Sequence, residues 1–143
     1  MQILVFSIFA VIIFLLSVPL HEFSHFLIYK CLGSKEKFKI TWFNIKKNSD
    51  GSIDIWGRVR ALNEEDSINL PDRWYAGNHK LINFIVGLSG GLGVAIVLIT
   101  IGIFLVLNRP EGFFSYVCIP FFLVAVFQLL YGIGEGLWVD NLQ

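Results

Sequence analysis

Residues 3–25, ILVFSIFAVIIFLLSVPLHEFSH, decide the fold class because they join a long apolar run to a cluster of ionisable side chains. The first eighteen residues of this stretch carry no charge, and a run of that length predicts a membrane-spanning helix. His21, Glu22 and His25 follow in the same predicted helix. Ionisable groups are costly inside a membrane, so this cluster indicates a functional site whose other members lie elsewhere in the chain.

Two further stretches are long and apolar enough to span a membrane. Residues 81–107 carry no charge, and residues 113–138 carry only Glu135. The chain has 143 residues, of which 55% are hydrophobic, and its formal net charge is zero. These features predict a mainly α-helical membrane protein with a single membrane domain, residues 1–143, and spans at about 3–29, 81–107 and 113–138. Membrane lipid is an expected partner, and nucleic acid is not.

The first apolar run has one alternative interpretation, a cleaved signal peptide. Such a peptide has a basic segment ahead of its apolar run and a small-residue cleavage site behind it. The first basic residue here is Lys30, and no cleavage site of that form follows the run. The sequence therefore favours a retained membrane helix.

The placement of basic residues predicts the orientation. Ten of the eleven Lys and Arg residues lie between Lys30 and Lys80, and Arg109 lies between the second and third spans. The positive-inside rule then places residues 30–80 and the C-terminus in the cytoplasm and the N-terminus outside.

The segment between the first two spans predicts a β-hairpin over about residues 37–61. Two runs of alternating apolar and polar residues flank the turn-forming stretch KKNSDGS, residues 46–52. The hairpin either closes a cytoplasmic loop or dips into the membrane interface. In the second case its free edge can pair with an extended peptide, and Ile53 and Ile55 are candidate substrate-binding residues.

His21, Glu22 and His25 form the motif H-E-x-x-H. Residues four apart share one face of a helix, so the two imidazoles can converge on one ion. This arrangement suits zinc, with the two histidines as metal ligands and Glu22 as the base that takes a proton from the attacking water. The prediction is one Zn²⁺ per chain.

A catalytic zinc site needs a third protein ligand and one open position. Counted from the outer face, His21 and Glu135 both lie about twenty residues into their spans, which gives them nearly the same depth. Asp140 lies roughly 7 to 8 Å further along the third span, near the surface. Glu135 is therefore the predicted third ligand and Asp140 the second choice, while His79 has no spacing argument.

The stretch GLSGGLG, residues 87–93 of the second span, falls near the same depth. Small residues there allow helices to approach closely, and they also leave room for a substrate beside the metal. Ser89, Gly90 and Gly91 are therefore candidate substrate-binding residues.

Together these motifs resemble the site-2 protease family of intramembrane zinc metalloproteases, and the resemblance covers most of the chain. HEFSH (21–25) matches the H-E-x-x-H of that family's first core helix. SGGLGV (89–94) is loosely similar to the A-G-P-x-x-N of the second. QLLYGIGEG (128–136) is similar to the N-x-x-P-x-x-x-L-D-G of the third, with Glu135 where the family has its aspartate ligand. A membrane-reentrant β-hairpin follows the family's first core helix, and residues 37–61 fit it.

The resemblance implies proteolysis of a transmembrane protein substrate, but the chain departs from the family pattern. Gly91 and Val94 replace the proline and asparagine of the second motif. Gln128 and Tyr131 replace the asparagine and proline of the third, with spacing one residue short. These departures concern substrate positioning more than metal binding, and they leave room for an accessory membrane subunit.

Two other functions remain open at this point. A metal-binding membrane scaffold or regulator would recognise transmembrane helices without cleaving them, and the departures in the second and third motifs favour it. A metal-free membrane protein would use HEFSH only as a polar helix face.

Overall fold

The computed structural model describes residues 2–35, 37–49, 53–61, 78–108 and 115–138. These residues form three helices and two strands, in the order α1 (Gln2–Cys31), β1 (Phe38–Lys47), β2 (Ile53–Ala61), α2 (His79–Leu107) and α3 (Ser115–Trp138). Each helix is long and apolar enough to cross a membrane. The mainly helical architecture with three such helices confirms that part of the sequence prediction.

Helix α1 ends where a glycine permits a left-handed backbone. Gly33 has a φ of 91°, and its N–H donates to the carbonyl of Lys30 at 3.0 Å. The N–H of Ser34 donates to the carbonyl of Tyr29, also at 3.0 Å. These two bonds make a Schellman motif, which satisfies carbonyls in the last turn of the helix and turns the chain towards β1.

The start of β1 is attached to the last turns of α1 by aromatic contacts. The ring of Phe38 stacks on Tyr29 at 5.6 Å and meets Phe26 edge-on at 5.8 Å. Lys30 lies on the same ring, with its Nζ 4.9 Å from the ring centroid. These contacts fix the strand pair beside the turn of α1 that carries the two histidines.

Strands β1 and β2 pair antiparallel, and their register shifts once. Phe38 is opposite Ala61, and the shift falls between Thr41 and Asn44. Two residues of β1 therefore face one residue of β2, Gly57, which is the arrangement of a β-bulge. The turn residues 50–52 lie outside the described residues, so the complete hairpin and its position relative to the membrane stay predictions.

Helices α2 and α3 approach through glycines. A Cβ at Gly91 would come within 2.9 Å of the Cα of Gly132, and a Cβ at Gly87 within 2.6 Å of the Cα of Gly136. Each helix uses glycines four residues apart, which share one face, so the two backbones touch along that face. The adjoining buried cluster is apolar and comprises Ile13, Val94, Ala95, Leu98, Val124 and Ala125.

Helix α1 meets α3 through different chemistry. The amide Nε2 of Gln128 donates to the Ser17 hydroxyl at 2.6 Å, and that hydroxyl donates to the carbonyl of Phe14 at 2.6 Å. Ser17 and Gln128 are both buried. The rings of Phe14 and Phe127 lie edge to face at 5.8 Å beside this polar pair. A cavity remains between these two helices next to the contacts.

Candidate metal centre

The two histidines of HEFSH lie one helical turn apart on α1 and point to the same place. The Nε2 atoms of His21 and His25 are 3.0 Å apart, and the rings are edge to face with centroids 4.7 Å apart. His21 is buried, with 5% of its surface exposed. The i, i+4 spacing on an unbroken helix accounts for this convergence.

Glu135 on α3 brings a carboxylate to the same point. Its Oε2 lies 3.0 Å from Nε2 of His21 and 3.8 Å from Nε2 of His25. Its neighbour Gly136 contacts α2 at Gly87, and this contact sets the height of α3 beside the histidines. The structure thus brings together the three residues that the sequence analysis selected as metal ligands, in a group that could hold a metal ion.

The three ligand atoms fit a tetrahedral ion. Metal–ligand bonds of about 2.0–2.1 Å at tetrahedral angles hold ligand atoms about 3.3 Å apart. The observed separations of 3.0, 3.0 and 3.8 Å bracket that value. Gly90 leaves the necessary space, because a Cβ there would lie within 2.6 Å of Nε2 of His25 and also overlap His21. Two imidazoles and one carboxylate are also a donor set that zinc commonly uses.

Glu22 lies beside this group and under strand β2. It is buried, with 8% of its surface exposed, and a Cβ at Gly57 would come within 2.7 Å of its Cδ. The backbone of Val59 on the same strand lies close to its carboxylate. Gly57 is the residue opposite the bulge, so the strand passes over Glu22 at the one place where it has no side chain.

A cavity of about 180 Å³ connects these groups. Its polar wall includes His21, Glu22 and Glu135. Its remaining wall is largely apolar or aromatic and includes Phe14, Val18, Phe127 and Tyr131. The volume is enough for several water molecules or for one amino-acid side chain, given about 30 Å³ per water. Two members of the ligand group, His21 and Glu135, therefore have open space beside them.

The residues of the second motif contact other parts of the chain. The hydroxyl of Ser89 lies 3.2 Å from Nδ1 of a ligand-group imidazole, Gly90 borders both imidazoles, and Gly91 contacts α3. Ile53 and Ile55 belong to β2, and their side chains lie outside the described set. A direct substrate role for these five residues stays a prediction.

The alternative ligands are not brought to the group in the part of the chain that the structure describes. His79 is exposed at the first residue of α2, ten positions before Ser89 and so roughly 15 Å away along the helix axis. Asp140 lies outside the described residues.

Several residues in or beside the cavity were not selected as site residues by the sequence analysis, although helical spacing marks them. Phe14 and Ser17 precede His21 by seven and four positions, and Gln128 precedes Glu135 by seven. Residues at these spacings share a helix face with the site. Applying that periodicity outwards from each proposed ligand would have selected them.

Comparisons of this chain with protein-family models, with curated proteins and with solved structures find no match. The functional argument therefore depends on the geometry of the site and on the residues that form it.

Proposed function

We propose that this protein is an intramembrane zinc metalloprotease that hydrolyses peptide bonds in or near transmembrane segments of other proteins. The observation that carries the proposal is the convergence of His21, His25 and Glu135 beside a cavity that Glu22 also lines. Three protein ligands with an adjoining open space are typical of catalytic zinc sites, whereas structural sites have four protein ligands. The resemblance of the motifs to the site-2 protease family supports the same reaction.

Each residue of the site has a role in this reaction. A bound zinc ion would polarise the scissile carbonyl and lower the pKa of the attacking water. Glu22 accepts the proton that this water loses as its oxygen bonds to the carbonyl carbon. When the C–N bond breaks, Glu22 delivers that proton to the leaving amine. Its place outside the ligand group, beneath the β2 backbone, suits this role.

The substrate in this proposal is an unwound transmembrane segment. Residues 37–61 form a membrane-reentrant β-hairpin, with residues 30–80 and the C-terminus on the cytoplasmic side. The substrate backbone pairs with the edge of β2 that passes over Glu22, because a peptide leaving its helix must replace its lost hydrogen bonds. The apolar wall of the cavity then receives one substrate side chain.

A metal-binding scaffold that cleaves nothing is the second candidate. The observation that favours it is the packing of Gly91 against α3, which uses a residue of the second motif for the protein's own assembly. Such a scaffold would keep the zinc group but would not need a proton acceptor at Glu22.

The experiment that tests the metal site is the zinc content of detergent-purified protein. We expect one zinc per chain in the wild type, and its loss in His21→Ala and Glu135→Ala. His79→Ala is the matched control, because this third histidine is exposed and outside the group, and it should keep full zinc. Absence of zinc in the wild type after reconstitution, or unchanged zinc in Glu135→Ala, would refute the proposed ligand set.

Glu22→Gln separates the protease from the scaffold. The variant should keep its zinc and cleave a panel of labelled transmembrane peptides about 10²- to 10⁴-fold more slowly than wild type, the range for loss of a general base. Cleavage at the wild-type rate in Glu22→Gln would contradict the role of this residue. No cleavage by a zinc-loaded wild type across the panel would favour the scaffold.

A further inference from the structure

The hydroxyl of Ser89 connects α2 to one imidazole of the ligand group. It donates to the backbone carbonyl of Val86 at 2.6 Å, and it lies 3.2 Å from Nδ1 of His25. Ser89 is half-buried on the side of α2 that faces α1. The contact is therefore on the far side of the ring from Nε2, the atom that faces His21 and Glu135.

The number of protons determines the direction of this contact. A serine hydroxyl has one hydrogen, and Ser89 already donates it to Val86. Towards His25 the hydroxyl oxygen can then only accept, so Nδ1 of the imidazole must carry the hydrogen. In the neutral ring this leaves the lone pair on Nε2, the form that a metal ion requires.

We propose that Ser89 is a positioning residue that holds His25 in its Nδ1–H tautomer and so presents Nε2 to the metal ion. The inference rests on the proposed function for the identity of the metal, but the tautomer itself can be measured without any metal. Hydrogen bonds to the remote nitrogen of a ligating histidine commonly fix its tautomer and ring orientation. Here the acceptor is a side chain of the neighbouring helix.

The residues around Ser89 explain how α2 comes close enough. A Cβ at Gly90 would meet both imidazoles, and a Cβ at Gly93 would overlap the side chain of Ser24. These two glycines let the α2 backbone approach α1 near His25. The short Ser89 side chain then reaches the imidazole. Its only heavy-atom dihedral angle is χ1, so little conformational entropy is lost in forming the bond.

The first test is the tautomer of His25 in metal-free protein. The chain has three histidines, so ¹⁵N-histidine labelling gives a simple two-bond ¹H–¹⁵N correlation spectrum. We expect the Nδ1–H pattern for His25 in the wild type and a shift towards the Nε2–H pattern in Ser89→Ala. The matched control is Ser24→Ala, which loses a similar bond, from its hydroxyl to the carbonyl of Leu20 at 2.9 Å, without an imidazole partner. It should leave the pattern of His25 unchanged.

The second test is zinc affinity, measured by chelator competition. Loss of a hydrogen bond to a metal-ligating histidine typically weakens metal binding about 10- to 100-fold, and we expect that loss in Ser89→Ala. Ser89→Thr keeps the hydroxyl and should recover most of the affinity, whereas Ser24→Ala should bind zinc as the wild type does. An unchanged zinc affinity or an unchanged His25 tautomer in Ser89→Ala would overturn the inference, as would a loss that Ser89→Thr does not recover.

The two proposals fail in different ways. The wild type could lack zinc while His25 still has its hydrogen on Nδ1 in a way that depends on Ser89. That result would refute the proposed function but support the hydrogen bond between Ser89 and His25. If the wild type binds zinc and Ser89→Ala binds it with the same affinity, the role of Ser89 is refuted and the proposed function stands.

Discussion

Helix α3 meets its two neighbours in opposite ways. Against α2 it presents glycines, and the two backbones touch at Gly91 and Gly132. Against α1 it presents the polar side chain of Gln128 and the ring of Phe127, and a cavity of about 180 Å³ remains beside them. One interface has no room for a methyl group, and the other has room for several water molecules or one side chain.

Under the proposed function, this difference separates two requirements of a catalytic site. A ligand must be held to a fraction of an ångström, and close packing of rigid backbones achieves this for Glu135 on α3. A substrate needs space, which the looser contact between α1 and α3 leaves next to the same carboxylate. Substitutions at each interface can test whether the two interfaces divide these tasks.

The largest effect should follow from adding one methyl group to the close interface. In Gly91→Ala the new Cβ would overlap the carbonyl of Gln128 and lie 2.9 Å from the Cα of Gly132, and neither backbone atom can move easily. Overpacking of this kind costs about 1–3 kcal/mol in unfolding free energy. Reversible unfolding in mixed detergent micelles measures it, and the zinc content should fall as α3 shifts.

The control for this prediction is the same substitution at Gly134 on α3. A Cβ there would meet no atom within 4 Å among the described residues. Gly134→Ala should therefore be neutral or slightly stabilising, since alanine favours a helix more than glycine does. Equal losses in the two variants would contradict the claim that contact between the α2 and α3 backbones, rather than glycine flexibility, matters at Gly91.

A smaller effect should follow from enlarging the open interface. Phe127 lines the cavity, contacts Phe14 edge-on and stacks on Tyr131 at 6.5 Å. Under the proposed function, the measurement compares two reporter substrates, one with a large apolar side chain at the cleavage site and one with alanine there. Phe127→Ala should raise the ratio of their kcat/KM values, large over small, by about tenfold. Phe104→Ala removes an exposed ring outside the cavity and should leave that ratio unchanged. An unchanged ratio in Phe127→Ala would exclude the cavity as the side-chain pocket.

The smallest effect concerns the hydrogen bond that joins α1 to α3. A double-mutant cycle of Ser17→Ala and Gln128→Ala should give a coupling energy of about 0.6 kcal/mol, with about 1.7 kcal/mol as the upper limit for such bonds in membrane proteins. A second cycle that pairs Ser7→Ala with Gln128→Ala should give no coupling, because among the described residues the Ser7 hydroxyl bonds to the carbonyl of Ile3 on its own helix and not to α3. Coupling energies of equal size in both cycles would show that the hydrogen bond between Ser17 and Gln128 does not account for the coupling.

The sequence predicts most of this fold because the helices are specified locally. Apolar runs mark the three spans, and the 3.6-residue period already places His21 and His25 on one face. The proximity of Glu135 required a further assumption, that the first and third spans both start at the outer face of the bilayer. That assumption gives the two residues nearly the same predicted depth, and in the structure Oε2 of Glu135 lies 3.0 Å from Nε2 of His21.

The sequence could not predict how each helix is rotated about its own axis. Residues 87–93 look like one small-residue patch, but consecutive positions on a helix differ in direction by about 100°. In the structure Gly91 therefore faces α3 while Gly90 faces α1, and Ser89 reaches His25. The sequence also could not predict the β-bulge opposite Gly57, because its position depends on where the strand contacts Glu22.

The ligand group combines residues 114 positions apart in the chain, His21 and Glu135, and this separation has a consequence for biosynthesis. At about 5–20 residues per second, the 114-residue separation means that Glu135 leaves the ribosome roughly 6–23 s after His21. Until α3 enters the membrane, the growing chain has two histidines at the site and no carboxylate from α3. Under the proposed function, metal loading would then coincide with the insertion of α3, and an unfinished chain would be unable to cleave the membrane proteins inserted beside it.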